Sequence, residues 1–409
     1  MSLRNKGLVL AMEDDSEIEP GTGELAETLV EVAESAAEIE EGTQEVAEYD
    51  EAIDSAADDA ETLEKIHDVM EESVEKGEGL DETSAEIAEI AIESICARLG
   101  ITKRTMPAME SFGSANSRLV ATKIAMEGIT ERLKGIWEAI KKAFIAMLGA
   151  IKDFYKKYMT AIGRAKEALS KVEAAVKAFN KTKAKSDVIE NASLAEAFAV
   201  DGKADASTAN TVLTNHLKLT RAVLKSLGAI KDVSKDISKD GADLQKASQD
   251  FVNEVGKSSG VLIDGNSVEF KAPETSKKGF YVEFSLTFGK DGALKGIETL
   301  DKAGMTSVVK VLQNLVKLDE DYAKNEAVIK QISDEIVRVA DAQSKLAETI
   351  AKAEGEEKAT IQANAEKAAA SARSVKALLG AVTTKVPSMN LKAIQKGIGY
   401  IEASMKNYE

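Results

Sequence analysis

Apolar residues recur at helical spacing through most of the chain, and the places where the spacing fails mark its divisions. From Glu13 to Glu93, Ala, Ile, Leu and Val return every three or four positions among acidic residues, as in Leu25, Leu29, Val32, Ala36, Ile39 and again in Ile53, Ala57, Leu63, Ile66, Val69. That period predicts amphipathic helices. Gly21, Gly23, Gly42, Gly77 and Gly79 should divide them into pieces. Asp81 to Leu99 reads as the best of these helices, with Ile87, Ile90, Ala91, Ile95 and Leu99 on one face and Gly100 placed as its C-cap. Ile101 to Gly113, with Pro107, Ser111 and Gly113, breaks the pattern and should be an exposed linker of the kind that proteases reach.

From Asn116 the helical period returns and runs long. Leu133, Ile136, Trp137, Ile140, Phe144, Leu148, Ile151, Phe154, Tyr155, Tyr158, Ile162, Leu169, Val172, Val176 and Phe179 form one apolar stripe. Such a helix is not stable alone in water, so the stripe must meet other helices, a membrane surface or a partner. A second helical run spans Ala209 to Val255. The period then changes to alternation: Ser258 to Lys271 and Phe280 to Lys290 predict strands around the turn Asp264-Gly265-Asn266. This small sheet, of about three strands, would be either a folding nucleus or a recognition surface. After Gly296 the chain is helical again through Met305 to Leu318, Tyr322 to Glu354, Glu356 to Leu379 and, beyond a linker ending at Pro387, Met389 to Tyr408. Val328, Ile332, Ile336, Val339, Leu346 and Ile350 suggest a coiled-coil seam. The expected fold class is mainly α: long antiparallel amphipathic helices, bundle- or coiled-coil-like, with a small antiparallel β-sheet inserted around 258–290.

Charge divides the chain more sharply than hydropathy does. The net charge of −17 is an average: residues 1–110 carry 32 acidic and 7 basic side chains, residues 111–409 carry 38 acidic and 46 basic. Self-repulsion should leave the acidic helices weakly packed. Two readings of that segment stand, a partly disordered acidic tail and an acidic segment that mimics or masks a partner. By contrast, Gly128 to Lys185 hold 14 Lys or Arg against five acidic residues. With four prolines and 4% aromatics, the composition favours long helices over large compact cores.

Candidate chemistry is sparse. Cys96 is the only cysteine, which excludes an internal disulfide, and it reads as a small core residue. The two histidines, His67 and His216, have no second His or Cys at ligand spacing, so no metal or histidine-based catalytic site is expected. Neither a phosphate-binding loop nor a dinucleotide fingerprint occurs, and no cofactor is implied. The Met1 to Met12 segment is too short to span a membrane and weak as a signal peptide, so the chain is expected to be made and kept in the cytosol.

One tripeptide stands out. Ala-Met-Glu occurs at Ala11-Met12-Glu13, Ala108-Met109-Glu110 and Ala125-Met126-Glu127, where composition alone gives roughly 0.2 copies by chance. The last two bracket the place where the charge inverts, and they are followed by Ser111 and Gly128. A protease reading a small residue two positions before glutamate would cut after each. In Ala108-Met109-Glu110-Ser111-Phe112-Gly113, Ala125-Met126-Glu127-Gly128 and the following Trp137-Glu138-Ala139-Ile140-Lys141-Lys142-Ala143-Phe144, residues 1–160 resemble the internal head and prohead-core proteins of large tailed phages. The resemblance implies a precursor whose acidic propeptide is removed by a prohead protease after Glu110, Glu127 and Glu13. It also implies a non-enzymatic mature protein inside the capsid with other capsid or core proteins. The expected organisation is a partly disordered propeptide at 1–110, a processing linker at 111–127, basic and amphipathic helices at 128–256, the β insert at 257–295 and a helical region at 296–409.

Loss of residues 1–110 would leave a body of net charge +8, able to tolerate or bind DNA. Lys141, Lys142, Lys152, Lys156, Lys157 and Trp137 are the candidate contacts. They would serve either genomic DNA phosphates without sequence specificity or, in the alternative reading, a membrane surface met by a basic aromatic helix that the acidic region keeps masked. Ordinary core packing of the stripe is the third reading.

Overall fold

Three helices build the front of the molecule: α1 (Thr22–Glu75), α2 (Glu82–Arg98) and α3 (Ala115–Ala178). Along α1 the buried positions Val32, Ser35, Ile39, Gly42, Val46, Ile53, Ala56, Ala60, Leu63 and Met70 keep alternating steps of three and four or their sums. That is a heptad pattern, which asks for a partner helix at a shallow crossing angle. The partner is α3, and three contacts fix the pair as antiparallel. Arg164 Nη1 donates to Ser35 Oγ at 2.8 Å. Gly42 faces Phe154, whose ring would lie 3.3 Å from a Cβ at that position. Leu80 N donates to Thr122 Oγ1 at 2.9 Å. This computed structural model describes residues 22–99, 106–234, 260–271, 283–288, 294–325 and 379–409, with isolated positions at 253 and between 327 and 341. The start of the chain, Gly21, Gly100 and most of the expected helices between Tyr322 and Leu379 lie outside the described residues.

The acidic segment therefore departs from expectation. Gly23 and Gly42 sit inside one uninterrupted helix, and Gly42 does so because Phe154 fills the space a side chain would need. The breaks come at Gly77 and Gly79, with φ of 76° and 65°. A Cβ at Gly79 would stand 2.7 Å from the Arg118 carbonyl carbon, so that turn has no room for any other residue. Asp81 then caps α2, accepting from Ser84 N at 2.7 Å. α2 returns along α1, and Arg98 pairs with the buried Asp59. Its buried face is Ala85, Ala88, Ile92, Ile95 and Cys96, while Ile87 and Ile90 are exposed, so the predicted apolar face is rotated.

Further elements succeed α3 along the chain. β1 (Val188–Ile189), α4 (Ala192–Ala197) and α5 (Ala206–Ser234) follow it, then β2 (Asn266–Lys271), β3 (Glu283–Phe288), β4 (Ile297–Glu298), α6 (Lys302–Ala323) and α7 (Val386–Lys406). β2 and β3 pair antiparallel from Asn266↔Phe288 to Lys271↔Glu283. Val261 to Ile263, read as a strand, instead lead into a 3-10 turn over Ile263–Gly265 in which Asp264 has φ 59°. A second pairing, β1 with β4, went unforeseen; it joins Val188 to Glu298 and Ile189 to Ile297. Residues 407–409 are fastened there too, as Lys185 N donates to Asn407 O at 2.8 Å and Glu409 N to Lys183 O at 3.1 Å.

Pro387 belongs to the helix and not to a linker. A π-helical turn over Ala381–Lys385 runs into α7, with proline in its first turn. In that turn each carbonyl awaits an N–H five residues on, and Pro387 has none to offer Val382. The Tyr322 hydroxyl of α6 donates to the Val382 carbonyl in its place.

Where α3, α5, α6 and α7 converge, the core holds a fully buried polar node. Asn390 Nδ2 donates to Asp319 Oδ1 and to Thr220 Oγ1, both at 2.8 Å. Asn390 Oδ1 lies 3.0 Å from His216 Nδ1, and His216 Nε2 accepts from Ile263 N at 3.1 Å. With Nε2 an acceptor, the ring proton sits on Nδ1 and the histidine is neutral. Burial pushes His216 down to about 4, against the opposing hydrogen bond from Asn390. Burial pushes Asp319 up to about 7 despite the bonds that favour its anion. Burial holds the Tyr158 hydroxyl beside it well above the usual phenol range.

These shifts act in opposite directions on stability. As pH rises from about 4 to 7 the unfolded chain ionises Asp319 first, so that residue's contribution falls; from about 4 to 6.5 neutral His216 contributes more as pH rises. Asp319→Asn removes the first effect alone. The stability of the variant relative to the parent should climb by about 1.4 kcal/mol per pH unit between pH 4 and 7, read from urea unfolding at several pH values. A constant difference would contradict a neutral Asp319.

Candidate processing sites

The first of the two described Ala-Met-Glu copies lies between α2 and α3. Ala108 is exposed and extended, with φ −62° and ψ 140°, and Glu110 is exposed. Met109 through Phe112 then close a 3-10 turn, held by Ser111 N donating to Ala108 O at 2.9 Å and Gly113 N to Glu110 O at 3.3 Å. Met106 and Phe112 anchor the segment from either side, both buried. It is therefore not the freely exposed linker that its Pro, Ser and Gly suggested. The carboxylate and the small residue face solvent while an aromatic plug holds the backbone down. Ser114 follows and caps α3, its Oγ accepting from Ser117 N at 3.4 Å.

The second copy is in a different state. Ala125, Met126, Glu127 and Gly128 lie inside α3, with Ala125 fully buried and Met126 partly so. Thr130 Oγ1 donates to Met126 O at 3.0 Å, and Ile129 beyond the glycine is buried. Proteases bind their substrates as extended strands, by main-chain hydrogen bonds and alternate side-chain pockets. Glu127 thus offers its carboxylate to solvent but no backbone. The boundary expected between 127 and 128 falls within one continuous helix. Ala11, Met12 and Glu13 lie outside the described residues.

The basic residues of α3 divide between inner and outer positions. Lys142, Lys152, Lys156 and Lys157 are exposed, and Lys156 reaches Asp153 at 2.9 Å. Lys141 is half-buried and paired with Asp341 at 2.5 Å, a contact that holds its ammonium above the usual lysine range. Trp137 is buried, so it serves the core and contacts no outside ligand in this fold. Ile136, Phe144, Phe154, Tyr155 and Tyr158 are buried with it, which takes the apolar face from the membrane reading while α1 is in place.

Two further groupings bear on chemistry. The His216–Asn390–Asp319 node was not foreseen, since its members come from three helices far apart in sequence; the only local signal was His216 on a helical face. It is enclosed, and His216 uses both ring nitrogens within the protein. His67, Asp68 and Glu71 bring ligand atoms within 4.8 Å of one another on one turn of α1. A trio from a single turn is an open arrangement with few fixed directions. No helix among the described residues is long and apolar enough to cross a membrane.

The sequence pattern of the phiKZ-like phage internal head proteins matches residues 13–403. The chain belongs to that family. An internal head protein resides in the virion interior, and the likeness first legible in residues 1–160 extends over nearly the whole length. The match opens at residue 13, so the acidic helices belong to the family's pattern along with the basic body. Neither a curated protein nor a solved structure matches the chain.

Phe112 should set the accessibility of the Glu110–Ser111 bond in this internal head protein. Phe112→Ala removes a buried aromatic side chain worth about 3 kcal/mol or more. A glutamate-specific endoprotease should then cut after Glu110 at least tenfold faster, with cleavage after Glu127 unchanged on the same gel. Equal rates at Glu110 would mean that the plug does not hold the turn.

Proposed function

We propose that this internal head protein is synthesised in the host cytoplasm as a precursor and cut by a prohead protease after Glu110, leaving a body that begins at Ser111. The observation that carries the choice of bond is the contrast between the two described tripeptides. One lies in a short anchored turn with its Ala and Glu exposed; the other is wound into α3 with its alanine buried. Its role is structural and not enzymatic, in the company of other capsid or core proteins. The decisive test is the N-terminus of the protein taken from mature particles. Glu110→Gln should leave full-length chain in the heads, whereas Glu127→Gln should mature normally; a mature terminus at Gly128 would refute the assignment.

The mature body is suited to rest against the genome through the outer face of α3. Lys142, Lys152, Lys156 and Lys157 are exposed there, and nothing on that face reads bases. Replacing all four by Glu should flatten the dependence of log K on log salt for duplex DNA by roughly 3 to 4, measured by fluorescence anisotropy on the processed protein. An unchanged slope would remove this face from the reading. A membrane-active role would first require α1 to leave the apolar stripe.

A further inference from the structure

α1 and α3 are matched in more than shape. α1 carries 20 acidic side chains and a single lysine, Lys65, while α3 carries 13 basic and six acidic ones. Along the heptad stripe that includes Phe154, α3 buries Ile140, Phe144, Met147, Ile151, Ala161 and Ala165. Opposite it, α1 buries Val32, Ile39, Val46, Ile53, Leu63 and Met70. Ser35 meets Arg164, and α7 also packs on α1 from the body. None of these contacts passes through the Met109–Phe112 turn.

We propose that the seam face of α3 is a binding groove for an acidic heptad helix, filled by α1 in the uncut chain and still filled by α1 after the backbone is severed. The proposal rests on the reading that the cut falls after Glu110. Hydrolysis of the Glu110–Ser111 amide consumes one water and yields a carboxylate on Glu110 and an amine on Ser111. It breaks one covalent bond and no seam contact. The product is a two-chain molecule whose net charge is still that of the precursor. Separation of α1, and not the hydrolysis, inverts the charge and uncovers the stripe. Attraction between the two helices is partly electrostatic and weakens with salt; the apolar seam is not screened.

The test replaces residues 108–111 with the recognition sequence of a sequence-specific protease, so it does not depend on which bond the phage enzyme prefers. After complete cutting, size-exclusion chromatography at 0.1 M salt and micromolar concentration should show the N-terminal fragment eluting with the body, and native mass spectrometry should give a one-to-one complex. Fragments that separate under those conditions overturn the proposal. Ile39→Asp with Val46→Asp should weaken retention at least tenfold, and retention unchanged by the pair would place the contact elsewhere and overturn the groove. The unsubstituted protein decides retention even if that variant fails to fold. Failure of the cut assignment is scored separately, by the N-terminus of the protein from virions.

Discussion

The antiparallel seam between an acidic and a basic helix is the constraint on which the rest of the structure depends. Each helix alone would be unstable in water. α1 repels itself and α3 exposes a long apolar stripe. Together they bury both faults, because the apolar stripes of the two helices close on each other along their length. Gly42 under Phe154 and Ser35 under Arg164 show how closely the register is set. A one-residue slip would place Phe154 against a side chain instead of the gap that Gly42 leaves.

From that seam the rest of the architecture follows. Phe154 turns to α1, but its neighbour Tyr155 stacks on Tyr322 of α6 at 6.2 Å, so α3 is buried on two sides. Tyr322 in turn meets the carbonyl that Pro387 leaves unserved in the turn before α7. Asp319, one turn earlier on α6, binds Asn390 of α7, which holds His216 of α5. The body is thus a chain of specific polar closures built on one helix. A fold of this kind can lose a peptide bond between α2 and α3 without losing any of them.

The helical class, the long α3 and the strand positions of β2 and β3 were legible in the sequence, because period and turn chemistry are local. The state of the acidic segment was not. Charge density argued for weak packing, and the competing fact, a basic helix of matching length 40 or more residues away, becomes visible only when the two heptads are laid against each other. Gly42 illustrates the same limit: a glycine read as a breaker was a fitted gap. For the tripeptides, sequence marked the copy at Ala108 as lying in a reachable linker but not that the copy at Ala125 is closed, since burial of Ala125 is a property of α3's packing and not of Ala-Met-Glu. The β1–β4 pairing escaped for a related reason, as two-residue strands carry no period. Trp137 was placed correctly on the stripe; what the stripe faces was the undecided part.

The placement of Ala125 has one more consequence. In the finished fold its tripeptide is locked in a helix, whereas a nascent or denatured copy presents it as freely as the one at Ala108. Folding therefore sets how many scissile bonds a given molecule offers, and a glutamate-directed enzyme meeting an immature copy would trim away the first turns of α3. For any glutamate-directed enzyme, the closed helix withholds the bond after Glu127 and leaves the one after Glu110.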